Sequence, residues 1–80
     1  MSVFIENAVL EIRVISGTTS STIGTQTTHA HGSSRGIPKG FAIKVKSNGV
    51  VYQSAVADAT NIYVKGSAAS LTFDLIIFWG

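Results

Sequence analysis

Residues Gly32 to Gly40 read GSSRGIPKG, and no helix can run through them. The three glycines loosen the backbone where a helix needs restraint, Pro38 lacks an amide hydrogen, and its ring drives Ile37 to extended geometry. The segment is a shaped loop that delivers the chain into an extended run. It lies within a longer stretch, Thr28 to Gly49, that gathers both histidines, the only proline, four glycines and four of the six basic residues. Elsewhere no window of useful length shows a helical apolar period, so strands must build the domain.

The strands follow from period-two alternation. In Ala8 to Ile15, Leu10, Ile12 and Val14 fall on one side and Glu11 and Arg13 on the other, a half-buried strand with Val3 to Ile5 as a short lead-in. Residues 18–28, TTSSTIGTQTT, carry six threonines, which suit a polar edge strand better than a loop. Phe41, Ile43 and Val45 face away from Lys44 and Lys46, and Asn48-Gly49 then supplies the positive φ of a two-residue hairpin turn, so this strand should pair with Val50 to Ser54. Ile62 to Lys65 is a short alternating strand. In the closing run, Leu71, Phe73, Leu75, Ile77 and Trp79 form a core face, while the other face becomes apolar at Ile76 and Phe78 and is expected to be covered by a neighbouring subunit. Six or seven short strands describe an all-β domain, a small antiparallel β-sandwich of jelly-roll-like character or a compact barrel, occupying residues 1–80 as one unit.

Eighty residues make a core of marginal independent stability, and without cysteine neither disulfides nor thiolate metal sites can reinforce it. Charged residues are only 12% of the chain, about half the usual share for a soluble domain, so much of the surface is Ser, Thr, Gly or apolar. Both features point to a subunit that shares surface with its neighbours. The net charge of +2 reflects few charges of either sign, so nucleic acid is not implied as a partner. No apolar run is long enough to span a bilayer as a helix, and the chain is read as mature, soluble and made in the cytoplasm.

Chemistry finds little purchase. His29 and His31 lie two apart and would share one side of a strand, a weak metal pair for which Glu6, Glu11, Asp58 and Asp74 are the other available ligands. Three copies around a three-fold axis would bring six imidazole nitrogens to one ion. The plainer reading is that the two rings hydrogen-bond loop backbone and fix the approach to the glycine loop. No serine sits in a nucleophile elbow and no acids pair for general acid and base work, so the chain is read as no enzyme and as needing no cofactor. Arg35, in a chain so short of charge, should have a dedicated carboxylate or carbonyl partner, with Asp58 the candidate. Arg35, Lys39, Lys44, Lys46 and Lys65 could meet an acidic partner, but lysines on strands more often deter edge-to-edge pairing. Tyr52, Tyr63 and Trp79 are the platforms available to a sugar, which keeps a carbohydrate-binding adhesin module as the alternative.

His31-Gly32, Arg35, Pro38-Lys39-Gly40-Phe41, a lysine-bearing strand, Thr60-Asn61-Ile62-Tyr63-Val64-Lys65, then Ser67-Ala68-Ala69-Ser70-Leu71-Thr72 and a closing apolar strand form a pattern. It resembles small β modules of tailed bacteriophage virions. Those modules typically read His-Gly-Leu-Gly-Arg, one residue, Pro, one residue, Gly and an aromatic, followed by Asn-Ile-Tyr-Leu. Here Ser33-Ser34 replaces Leu-Gly, and Gly36-Ile37 adds a residue between the arginine and the proline. The resemblance covers residues 29–79 and carries no catalytic signature. It implies a structural role in the virion, as a capsid-decorating or tail- or fibre-associated subunit that forms a homo-oligomer, a trimer by preference, and binds other virion proteins. His31, Arg35, Pro38, Ile76 and Phe78 are the residues expected at those contacts.

Overall fold

The computed structural model describes residues 11–80, so the expected lead-in at Val3 to Ile5, the strand positions Ala8 to Leu10 and the candidate ligand Glu6 lie outside the described residues. Among the described residues there are six strands and no helix: β1 (Glu11–Thr18), β2 (Thr27–Ala30), β3 (Gly40–Val45), β4 (Val51–Ala55), β5 (Asn61–Gly66) and β6 (Thr72–Trp79). They form two three-stranded antiparallel sheets, sheet A in the order β1-β6-β3 and sheet B in the order β2-β5-β4. Among the described residues this is a small open sandwich that does not close into a barrel.

The register shows how both sheets arise from one ribbon. β1 pairs with β6 from Glu11 opposite Trp79 to Thr18 opposite Thr72, and β2 continues along β5 from Thr27 opposite Val64 to Ala30 opposite Asn61. On the other flank β3 pairs with β6 from Gly40 opposite Phe78 to Val45 opposite Phe73, and β4 continues along β5 from Val51 opposite Gly66. A single three-stranded ribbon, with β5 and β6 as its middle strand, is therefore folded over so that its halves face each other.

The fold line is held by hydrogen bonds between segments far apart in the sequence. Thr19 is buried there; its amide donates to the Leu71 carbonyl at 2.9 Å and its Oγ1 accepts from the Leu71 amide at 2.8 Å. Ser70, at a positive φ of 51°, donates to the Ser20 carbonyl at 2.9 Å. On the other flank Lys46 donates to the Thr72 carbonyl at 2.8 Å, and Val50 donates to Ser67 Oγ, also at 2.8 Å. This corrects the expected hairpin. Of Asn48-Gly49 only Gly49 takes a positive φ, 147°, and the segment carries the chain from sheet A to sheet B, so that β3 and β4 pair with β6 and β5 instead of with each other. The polar run also resolves differently from expectation: only Thr27 to Ala30 and Thr18 are strand, and 19–26 crosses the fold line.

Phe73, Leu75, Ile77 and Trp79 from β6 meet Ile62 and Val64 from β5 to form the centre of the core, joined by Val51, Ala57 and Leu71, with Phe41, Ile43 and Val45 packed alongside. The alternation read in β3, β5 and β6 holds. In β1 it is inverted: Glu11, Arg13, Ile15 and Gly17 lie opposite the buried residues of β6, while Ile12 and Val14 are 63% and 61% exposed on the outer face. The cause is what covers each end of the inner face. Gly17 makes room for the His29 ring, since a Cβ there would come within 2.9 Å of it, and Glu11 meets the 31–40 loop, where polar partners await it.

Candidate contact surface

The outer face of sheet A is ordered in cross-strand rows. Ile12, Phe78 and Gly40 lie side by side, followed by Val14, Ile76 and Ala42, then Ser16, Asp74 and Lys44. Two of these three rows are therefore apolar, and the third carries charge. The Phe78 ring lies over Gly40, where a Cβ would stand 2.8 Å from the ring edge, so a glycine on β3 gives the aromatic its seat. At the charged row Asp74 accepts from Ser16 Oγ at 2.6 Å and pairs with Lys46 Nζ at 3.0 Å; the Ser16 hydroxyl and then Lys46 hold its carboxyl below the usual range. Ile76 and Phe78, half-buried, sit where the sequence placed them, and Ile12, Val14 and Ala42 complete their patch. Those three were not foreseen as members, although Gly17, in line with Glu11 and Arg13, was the available sign that this side of β1 turns inward.

The 31–40 loop is anchored from within. His31 is 1% exposed; its Nδ1 accepts from the Ser33 amide at 3.2 Å and its Nε2 lies 3.2 Å from the Asp58 carbonyl, to which it donates as the neutral tautomer. Its ring packs edge-on against Trp79, whose Nε1 donates to the Gly36 carbonyl at 2.9 Å. Pro38 is also buried. His31 and Pro38 are thus enclosed by the chain itself and shape the loop. Arg35 stays exposed.

Arg35 does have a carboxylate partner, but it is Glu11, not Asp58. Arg35 Nε reaches Glu11 Oε1 at 3.1 Å, Ser33 Oγ donates to the same oxygen at 2.8 Å, and Arg13 binds the other oxygen. Arg13 first, then Ser33, keeps the Glu11 carboxyl below its ordinary range. Asp58 instead closes its own turn: it accepts from the amides of Thr60 at 2.8 Å and Asn61 at 2.7 Å and from the Tyr63 hydroxyl, which lowers its carboxyl, and in return it pushes the Tyr63 phenol up. An aspartate followed closely by free amides is satisfied locally before a distant arginine can compete.

The remaining candidates separate. His29 lies 2.8 Å from Thr27 Oγ1 and packs edge-on against Phe73, and burial pushes its imidazole down. Among the described residues no three His, Asp or Glu side chains gather as a metal centre requires, and no cavity opens. Tyr52 and Tyr63, far apart in sequence, fall on the same outer face of sheet B, because Tyr52 pairs with Lys65 and Tyr63 is two positions along the same strand. Trp79 lies in the core, as its strand face predicted. Comparison of the chain with protein-family models, curated proteins and solved structures finds no match.

Proposed function

We propose that this chain is a structural subunit of a bacteriophage virion, a capsid-decorating or tail-associated protein that acts by burying surface and makes or breaks no bond. The observation that carries the reading is the outer face of sheet A, where Ile12, Val14, Ile76 and Phe78 form an apolar patch on a domain with little charge to keep copies apart. The ordered resemblance across residues 29–79 supplies the virion context. Partners are further copies of the chain and other virion proteins, met through that face and through the exposed Arg35 side of the loop. Native mass measured across a dilution series, followed by sedimentation with assembled particles, tests it. A chain that stays a single copy at all concentrations and never travels with particles ends the proposal.

One observation favours a second reading. Tyr52 and Tyr63 share a face with Asn61 and Lys65, the mixture of flat rings and polar groups that sugars use. Glycan-array binding that disappears in Tyr52→Ala would favour an adhesin module over a shell component.

A further inference from the structure

The four edge strands of the sandwich are not equally defended. β2 is four residues long, and β4 carries a register shift between Gln53 and Ala55 that breaks its regularity. β3 bears exposed Lys44, with Lys39 before it and Lys46 after it. Shortness, bulges and lysines are the devices by which edge strands refuse a second chain. β1 has none of these three: it runs eight residues without lysine, proline or register shift, its inner-side charges Glu11 and Arg13 pair with each other, and its outer face offers exposed, β-branched Ile12 and Val14. Among the described residues its only pairing is with β6, so its second row of amides and carbonyls faces outward.

We propose that β1 is the assembly edge, pairing antiparallel with β1 of a second copy across a two-fold axis to give a six-stranded sheet. The occupant is a second copy of this chain, because the charges on β1 allow it to pair with itself. The lysine-bearing β3 edges would repel one another, whereas two β1 strands centred on Val14 place Arg13 opposite Ile15, Ile12 opposite Ser16 and Glu11 opposite Gly17 of the second copy, with no like charges opposed. Centring on Arg13 would set guanidinium against guanidinium. The Val14 register also puts an outer-face apolar residue on the axis, so the two Ile12, Val14, Ile76 and Phe78 patches merge into one broad surface that a larger shell can cover. This rests on the outer face being a contact surface, and it replaces the expected trimer with a two-fold pair.

The chain contains no cysteine, so single replacements report cleanly. Val14→Cys in the full chain, mildly oxidised, is expected to give a covalent dimer, while Ala42→Cys, on the same face but on β3, stays uncoupled. Ile12→Lys with Val14→Lys is expected to halve the native mass while circular dichroism and melting are retained, since both side chains are exposed. An oligomer whose mass ignores the two lysines, or which couples through Ala42→Cys instead, overturns the β1 edge and leaves the contact-surface reading standing. A chain of single-copy mass at every concentration overturns the β1 edge, and it overturns the contact-surface reading as well only if that chain also never sediments with particles.

Discussion

The two faces of β6 are made by one strand, yet they differ in what they answer to. Phe73, Leu75 and Ile77 are wholly enclosed by sheet B, while Asp74, Ile76 and Phe78, interleaved with them, look outward across β1 and β3. Burial on the first face pulls the ribbon closed; apolar surface on the second has nothing from the described chain above it. A strand facing only water on its outer side would alternate with polar residues to its end, as this one does at Thr72 and Asp74 before it changes. The lesson is that one strand serves folding with its odd-numbered residues and, on our reading, assembly with its even-numbered ones.

The contrast breaks most visibly on the inner face. Phe73→Ala leaves a hole at the centre of the core and should cost about 3–5 kcal/mol, a large part of the stability a small domain possesses. Urea denaturation of the isolated protein reads it directly. A loss under about 1 kcal/mol would mean that the two halves of the ribbon are not closed on each other in solution.

The end of the sandwich supplies the next largest effect. His31→Phe keeps an aromatic against Trp79 but strips the Ser33 amide and Asp58 carbonyl of their partner. The expected loss is roughly 1–3 kcal/mol, seen in the same urea experiment. Faster amide exchange at Ser33 should accompany it, because the loop is held from inside by this ring. Unchanged exchange would show that Trp79 and its bond to Gly36 hold the loop alone.

These two sites also mark what can be read from sequence. The inner face of β6 was legible because alternation over nine residues, with every odd position large and apolar, admits one interpretation. The orientation of β1 was not, since alternation shows that two sides differ without saying which is covered; the register against β6 and the loop above Glu11 decided it. Asn48-Gly49 read as a hairpin turn, but such chemistry also serves a sheet-to-sheet corner, and only the long pairing of β3–β4 with β5–β6 shows which it is. Arg35 was expected to find a carboxylate or carbonyl partner, and the partner is the Glu11 carboxylate. Which carboxylate it met depended on Asp58 being already engaged by Thr60, Asn61 and Tyr63, a matter of three-dimensional competition. His31 was read as a loop anchor, and its bonds to Ser33 and Asp58 and its packing on Trp79 give it that role.

Acid should erode the fold in two stages, more gently. Burial holds the His29 imidazole below its ordinary 6.5, so as pH falls past that value the unfolded chain takes up a proton the folded chain refuses, and stability drops. Glu11, Asp58 and Asp74 are held below their ordinary 4.5, 3.8 and 3.8 by Arg13, by the Tyr63 hydroxyl and by the Ser16 hydroxyl respectively. Their stabilisation is complete above those values and is lost as pH falls through the lower, folded ones. Urea midpoints measured from pH 8 to pH 3 should therefore decline first near the histidine range and again in the carboxylate range (about 6.5 and about 4 in unfolded chains). His29→Gln should remove the first step and keep the second; a first step that survives would place the proton elsewhere.

The smallest effect on folding falls on the outer face of β6, and it is the one that sharpens the comparison. Ile76→Thr keeps the β-branched shape that a strand favours and removes apolar surface from the middle of the patch, beside Val14 and Ala42. Because nothing among the described residues covers that position, the loss in the isolated domain should stay under about 1 kcal/mol. Native mass and sedimentation with particles, by contrast, should shift strongly toward the free single copy. The reverse outcome, a domain that unfolds while its assembly is untouched, would mean that the outer face helps hold the ribbon itself, and the division of labour between odd and even residues of β6 would no longer stand.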